Sequence, residues 1–334
     1  LILLESPQDL WSEEPLPRCA LLAGYSSHWF SVSASALSIH GIQPILVSAY
    51  TPMDERYSAV YFSMPSATRE SLCYLRQAGR TRVALIGINP DSPADRRKEE
   101  VFQSESTLLD MAGCVSIPCG GISMQTCVER FLCEVDQFDA VMGANDVVSI
   151  CVIQALEREG YKVPEDLFVM GMGNSHIGRM LHEPLTTVDF DYELMGYSAV
   201  NLYYMMLSDA SGMRLQMALP FRIMVRATTA NLRILPSEEP KEAQTHSGNP
   251  SYYSDPDVRR LNNIEELLQR CDEWDIKVIE GILRSDTYEQ IAFDTHFSER
   301  AIKYRVQKIL HKANLTHRTQ LCDTLRTYWW VRDR

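Results

Sequence analysis

Short, almost unbroken apolar runs alternate with longer helical patterns over residues 19–232. This alternation limits the fold more than any other feature of the chain. The runs are Cys19–Gly24, Pro44–Ala49, Arg82–Ile88, Cys114–Pro118, Ala140–Ala144 and Leu167–Met172. A strand that is apolar at nearly every position has both faces covered, which is the condition of a parallel sheet. The helical patterns are Ser66–Ala78, Ala94–Met111, Met124–Val135, Val147–Glu159 and Tyr192–Leu207. Strand–helix alternation at this spacing gives βαβ units and an α/β domain. Gly41, Gly79, Gly113 and Gly160 follow helical segments, where a left-handed cap is expected.

From Leu235 to Asp257 the pattern stops. Pro236-Ser237-Glu238-Glu239-Pro240 and His246-Ser247-Gly248-Asn249-Pro250 are polar and rich in helix breakers. The organisation expected is a domain over 1–232, a flexible linker over 233–257 and a small all-α domain over 258–334. A length of 334 residues fits about two domains.

The last 60 residues carry a sharper pattern. Trp274, Val278, Ile279, Ile282 and Leu283 form an apolar helical stripe. Thr287 and Gln290 then fit a capping box, Thr295-His296-Phe297 a turn, and Ser298 a second helix start, with Phe297 and Ile302 placed as a hydrophobic staple. Two helices joined by three residues make a helix-turn-helix. At 100° per residue Ile302, Val306, Ile309, Leu310 and Ala313 share the inner face. The outer face holds Arg300, Lys303, Tyr304, Gln307, Lys308 and His311, flanked by Arg305 and Lys312, with Ser298 at the helix start. Such side chains hold phosphates or read base edges in a major groove. The other reading of these helices is a bundle used only for dimerisation or partner binding.

Charge supports the first reading locally. The chain carries −12 overall, yet residues 296–334 contain nine Lys/Arg against three Asp/Glu. That is +6 in the tail and −18 before it, the asymmetry of a basic nucleic-acid module on an acidic body. No apolar run is long enough to span a membrane. The opening Leu1-Ile2-Leu3-Leu4-Glu5 has no basic region and so does not read as a signal peptide. Nine cysteines are scattered without a C-x-x-C pair, which suggests free thiols in a reducing, cytoplasmic setting and no metal site. The chain has no G-x-S-x-G, no Walker loop and no H-E-x-x-H, so no enzyme and no cofactor are expected.

The C-terminal stretch Tyr288-Glu289-Gln290-Ile291-Ala292, followed by Ser298-Glu299-Arg300-Ala301-Ile302-Lys303-Tyr304-Arg305-Val306-Gln307-Lys308-Ile309-Leu310-His311-Lys312, resembles the LuxR/GerE-type helix-turn-helix. Ala301, Arg305, Ala313 and Phe297 depart from that family's usual Thr, His, Leu and Ile. The resemblance implies double-stranded DNA as partner, Lys303 and Lys312 as basic contacts, and a last helix, Arg318–Tyr328, that pairs two subunits through Leu321, Leu325 and Tyr328. Residues 19–230 resemble the LacI/GalR-type regulator core. The carrying stretches are Arg82-Val83-Ala84-Leu85-Ile86-Gly87, Phe138-Asp139-Ala140-Val141-Met142-Gly143-Ala144-Asn145-Asp146, Gly160-Tyr161-Lys162-Val163-Pro164, Glu183-Pro184-Leu185-Thr186-Thr187-Val188 and Phe221-Arg222-Ile223-Met224-Val225-Arg226. This second resemblance implies a two-lobed periplasmic-binding-protein-like domain, truncated before Cys19, and a small-molecule effector such as a sugar or related metabolite. In parallel sheets ligands meet the carboxyl ends of strands. The candidates there are Ser26, Ser27, His28, Asn89, Asn145, Asp146 and Asn174. Asp146 fits a helix cap as well as a ligand, and His28 fits a surface or core role. The function expected is a DNA-binding homodimeric transcription regulator whose front domain senses a small molecule.

Overall fold

The computed structural model describes residues 16–24, 27–48, 56–90, 92–120, 122–208, 213–229, 256–313, 315–326 and 328. Ser26 and most of the expected linker over 233–257 lie outside them. In chain order the elements are β1 (Cys19–Ala23), α1 (Ser27–Ile39), β2 (Gln43–Ser48), β3 (Ser58–Phe62), α2 (Met64–Gln77), β4 (Val83–Ile88), α3 (Pro93–Leu108) and β5 (Val115–Pro118). They continue with α4 (Met124–Leu132), β6 (Ala140–Gly143), α5 (Asp146–Arg158), β7 (Phe168–Met172), α6 (His176–Met180), β8 (Thr186–Phe190), α7 (Tyr192–Ser208), β9 (Gln216–Leu219) and β10 (Phe221–Met224). The C-terminal helices are α8 (Pro256–Gln269), α9 (Glu273–Leu283), α10 (Tyr288–Thr295), α11 (Glu299–Lys312) and α12 (Arg318–Leu325). Among the described residues there are two sheets, of four and six strands. The chain falls into two compact units, residues 1–120 with 188–223 and residues 121–187 with 224–334.

In the first unit β1, β2, β3 and β9 pair in that order, every pairing parallel. Ile45, Ala59, Val60 and Phe62 are fully or almost fully buried, as strands covered on both faces require. β4 pairs β5 in parallel, and all six residues of β4 are buried. Phe62, Phe190 and Tyr192 form an aromatic cluster. Helices α2 and α3 begin on Ser63 and Ser92, whose hydroxyls accept the amides of Ser66 and Asp95. Gly41 and Gly79 close helices at positive φ as expected, and so does Gly160 in the second unit. Gly113 does not, because Asp110 (φ 55°) already ends α3 in the left-handed region.

In the second unit β6 pairs β7 in parallel, with α5 beside them and α6 packed on α5. Gly143 and Gly171 let α5 sit close: a Cβ at either position would collide with Ser149 or Asp146 of that helix. The five C-terminal helices belong to the same unit. α9, α10, α11 and α12 pack around Val278, Ile279, Ile282, Ile291, Ile302, Val306, Ile309, Leu321 and Leu325, all within 2% of full burial. Each such side chain contributes roughly 1.5–3 kcal/mol as an upper estimate. The capping box at Thr287 and Gln290 is formed, His296 closes α10 at φ 57°, and Ser298 accepts the Ala301 amide. Phe297 packs edge-on against Trp274 at 5.0 Å.

Two further expectations fail here. Leu321, Leu325 and Tyr328 do not form an open pairing face, because α12 turns them inward and they are at most 6% exposed. The cysteines are not all free: Cys119 and Cys127 are disulfide-bonded, and the other seven are thiols. The bonded pair flanks Gly120-Gly121, and both side chains are buried.

Candidate functional site

The basic face of α11 is built from one register. Ile302, Val306 and Ile309 are buried against α9 and α10, which fixes the rotation of the rod. Arg300, Lys303, Tyr304, Gln307, Lys308 and His311 are consequently exposed, Tyr304 by 68%. Lys303 pairs with Glu299 at 2.6 Å, but both side chains are half exposed, so the pair contributes little and yields readily to a phosphate.

Arg305 and Lys312 are placed differently. Both reach Asp275 at the start of α9, at 2.6 and 2.9 Å, and Arg305 also holds Asp272 at 3.0 Å. Asp275 is fully buried, so these two cations neutralise an internal carboxylate and fasten α11 to α9. Lys312 bonds the Arg270 carbonyl as well. Sequence reasoning did not single out Asp275 or Asp272, which caps α9 by accepting the Asp275 amide at 2.8 Å.

The strand-end candidates separate by unit. In the first, His28 is exposed on the opening turn of α1. Asn89, after β4, donates its amide to Asp95 at 3.2 Å, and Asp95 also takes the buried Lys98 at 2.8 Å. A cavity of about 200 Å³ in this unit is lined by Gln43, Tyr57, Ser58, Met206 and Arg214, at the amino ends of β2 and β3 and without any of the candidates.

In the second unit three candidates come together. Asn145 caps α5 by accepting the Val148 amide at 3.0 Å. Asp146 is 3% exposed and accepts the Thr187 hydroxyl at 2.5 Å and the Ser175 amide at 2.6 Å. Burial pushes its carboxyl above the usual range, against those bonds and nearby Arg226. Asn174, at φ 53° and 5% exposed, donates its amide to Thr187 and accepts Arg226 at 2.5 Å and Arg179 at 3.3 Å on its side-chain oxygen. Arg226 further holds the Leu185 carbonyl at 2.7 Å. This is a braced polar network at the carboxyl ends of β6 and β7. Thr187, Arg179 and Arg226 were not singled out from sequence, because only their partners show that they converge.

The same loop meets α8. Glu265, 7% exposed, accepts the amides of His176 (2.9 Å) and Ile177 (3.0 Å) and the His176 ring nitrogen Nδ1 (2.7 Å). Burial alone would raise its carboxyl, but these donors outweigh burial and hold it below the usual range.

Comparison with known proteins agrees with this architecture. Residues 72–229 match the model of a family described as a periplasmic binding protein-like domain. The HTH-type transcriptional repressor PurR of Histophilus somni (strain 129Pt) is 34% identical over 83 residues, covering 25% of each chain. The ribose operon repressor of Lactococcus lactis subsp. lactis is 22% identical over 158 residues, covering 47% of this chain and 48% of that protein. The chain thus spans a quarter to a half of the length of these curated relatives. Among solved structures, a LacI family transcriptional regulator from Weissella paramesenteroides with bound sucrose superposes with a TM-score of 0.56 at 22% identity, covering 68% of this chain and 82% of that one. The front part therefore has a two-sheet α/β fold of the periplasmic-binding-protein-like kind. Among the described residues no helix is long and apolar enough to cross a membrane, and no His/Cys/Asp/Glu group is arranged to hold a metal ion.

Proposed function

We propose that this protein is a DNA-binding transcription regulator of the cytoplasm whose front domain holds a small-molecule effector and whose C-terminal LuxR-type helix-turn-helix contacts double-stranded DNA as a homodimer. The observation that carries the reading is the exposed face of α11: three cations, a glutamine, a tyrosine and a histidine on a rod whose opposite side is locked by Ile302, Val306 and Ile309. Ser298 sits at the amino end of this helix, where backbone amides favour a phosphate. Arg300, Lys303 and Lys308 serve as the direct phosphate contacts, with Tyr304, Gln307 and His311 facing base edges. Arg305 and Lys312 support the surface from behind through Asp275. The names of the curated relatives, transcriptional repressors, support a regulatory rather than a catalytic role.

The effector reading rests on the polar network of Asn145, Asp146 and Asn174, with Asn89 and His28 as further candidates. Sugars are the first class to test, since the Weissella structure carries sucrose. Binding of promoter fragments by the full chain, measured by gel shift across salt, tests the DNA claim. Affinity should fall steeply as salt rises, and Lys303→Ala should lower the log–log slope by about 1 for every sequence. Gln307→Ala should instead change sequence preference. Binding that is absent, or indifferent to salt, overturns the reading. A saturating sugar at about 100 times its Kd should stabilise the protein by about 2.7 kcal/mol in thermal unfolding.

A further inference from the structure

The helix α8 stands between two sets of contacts. On one side Glu265 is inserted into the loop that follows β7, taking two amides and the His176 ring, and α8 packs on α5 and α6. On another side Arg260 donates to the Asp323 carbonyl of α12 at 3.3 Å and lies 5.8 Å over the Tyr328 ring. Arg260 and Glu265 are five residues apart, which separates them by roughly 140° around the helix. Val258, Leu261, Ile264, Leu267 and Leu268 are all at most 4% exposed, so the rod is held along its length.

The loop that Glu265 grips is not a remote one. Ser175 gives its amide to Asp146, and Asn174 carries the two guanidinium groups of Arg179 and Arg226. His176 and Ile177 are the next two residues. Any ligand that draws on Asp146 or Asn174 must disturb the bonds that hold residues 174–177, and the next bonded group along the chain of contacts is the Glu265 carboxylate. An acid is an unusual choice for a buried helix face, since burying a charge is costly unless donors meet it. Here four donors meet it, three from His176 and Ile177 and the fourth, Gln269, from α8 itself at 3.3 Å, so that segment and α8 hold their positions jointly.

We propose that Glu265 is a positioning residue that couples the 174–177 loop to the C-terminal helices, with α8 as the element through which effector binding reaches the DNA-contacting face. The proposal deepens the regulatory reading above and rests on it for its biological meaning. The coupling itself is a property of the chain that is measurable without DNA.

The test is amide hydrogen exchange on the full chain. Glu265→Ala should speed exchange at His176, Ile177 and along α8 by about tenfold or more, the expected loss for charge-assisted bonds. The amides of β6 and β7 should be unchanged. Glu265→Gln, which keeps one acceptor oxygen and the side-chain volume, should give a smaller rise at the same positions. Asn174→Ala should speed exchange in α8 when Glu265 is present and add nothing further in the Glu265→Ala background. If Asn174→Ala leaves α8 untouched, or if the two substitutions simply add, the coupling is wrong. Failure of the wild-type chain to bind any promoter fragment would remove the DNA reading and leave this exchange result to stand or fall alone.

Discussion

At the residue scale the most consequential side chain of the C-terminal helices is Asp275. It is fully buried, and a carboxylate there would cost several kcal/mol without compensation. Arg305 and Lys312 supply that compensation, so Asp275→Ala should leave Arg305 with Asp272 alone and Lys312 with only the Arg270 carbonyl, and destabilise the helical module by about 2–3 kcal/mol in urea unfolding. Asp272→Ala should cost about 1 kcal/mol, because its half-exposed ion pair contributes little but its carboxylate caps α9 through the Asp275 amide at 2.8 Å. The same measurement separates roles on α11. Arg305→Ala should lower the unfolding midpoint along with DNA affinity, whereas Lys303→Ala should lower affinity and leave the midpoint in place. None of this was legible in the sequence: Asp275 and Arg305 lie 30 positions apart and meet only because α9 and α11 pack. The caps were legible, since Thr287 with Gln290 and Ser298 with Ala301 act within four residues of chain. The cysteines are a further residue-level test. Alkylation of the unfolded chain should label seven of nine before reduction and all nine after it, with Cys119 and Cys127 as the late pair. Nine labels without reductant would contradict the disulfide.

At the element scale the strands apolar from end to end were readable, and those that mix in hydroxyls were not. β8 contains Thr186 and Thr187, both fully buried, which break the continuous apolar run that marked the other strands. Their hydroxyls are taken up by the Arg226 carbonyl, the Thr229 hydroxyl and Asp146, and the Thr186 amide donates to the Thr228 hydroxyl, so burial carries no penalty. β9 and β10 escaped for the related reason that Gln216 and Arg222 interrupt them and most of their positions are only partly buried, so they lack a continuous apolar run. In α8 a signal was present: Glu265 interrupts an otherwise apolar face, the mark of an acid with partners. That acid also sets a pH dependence. Its carboxyl is held below the usual glutamate range, so the fold prefers the ionised form. The stabilisation is complete above that range, about pH 4.3, and is lost as pH falls through the lowered value. Melting temperatures of the wild type and Glu265→Gln should therefore differ at neutral pH and converge in stronger acid. A constant gap across that window would show that the ionised carboxylate is not what holds α8.

At the scale of the whole molecule the alternation of strands and helices gave the front domain's class, and the charge asymmetry marked out the basic tail. What the sequence concealed is how the tail is attached. A polar stretch over 233–257 suggests a loose tether, which transmits geometry poorly. The helix that follows it is docked on α5 and α6, so the tail has a fixed seat as well as a covalent link. The inward turn of Leu321, Leu325 and Tyr328 likewise shows that apolar spacing on a last helix says nothing about which body it faces.

α8 ends at Gln269 and α9 starts afresh on its own Asp272 cap, so the rod gripped at Glu265 stops three residues short of the next helix. One residue inserted at Glu266 would turn Leu267 and Leu268 by roughly 100°, away from the buried face that they share with Leu261 and Ile264. Signal transmission should then fall with that insertion, while contact with naked duplex persists.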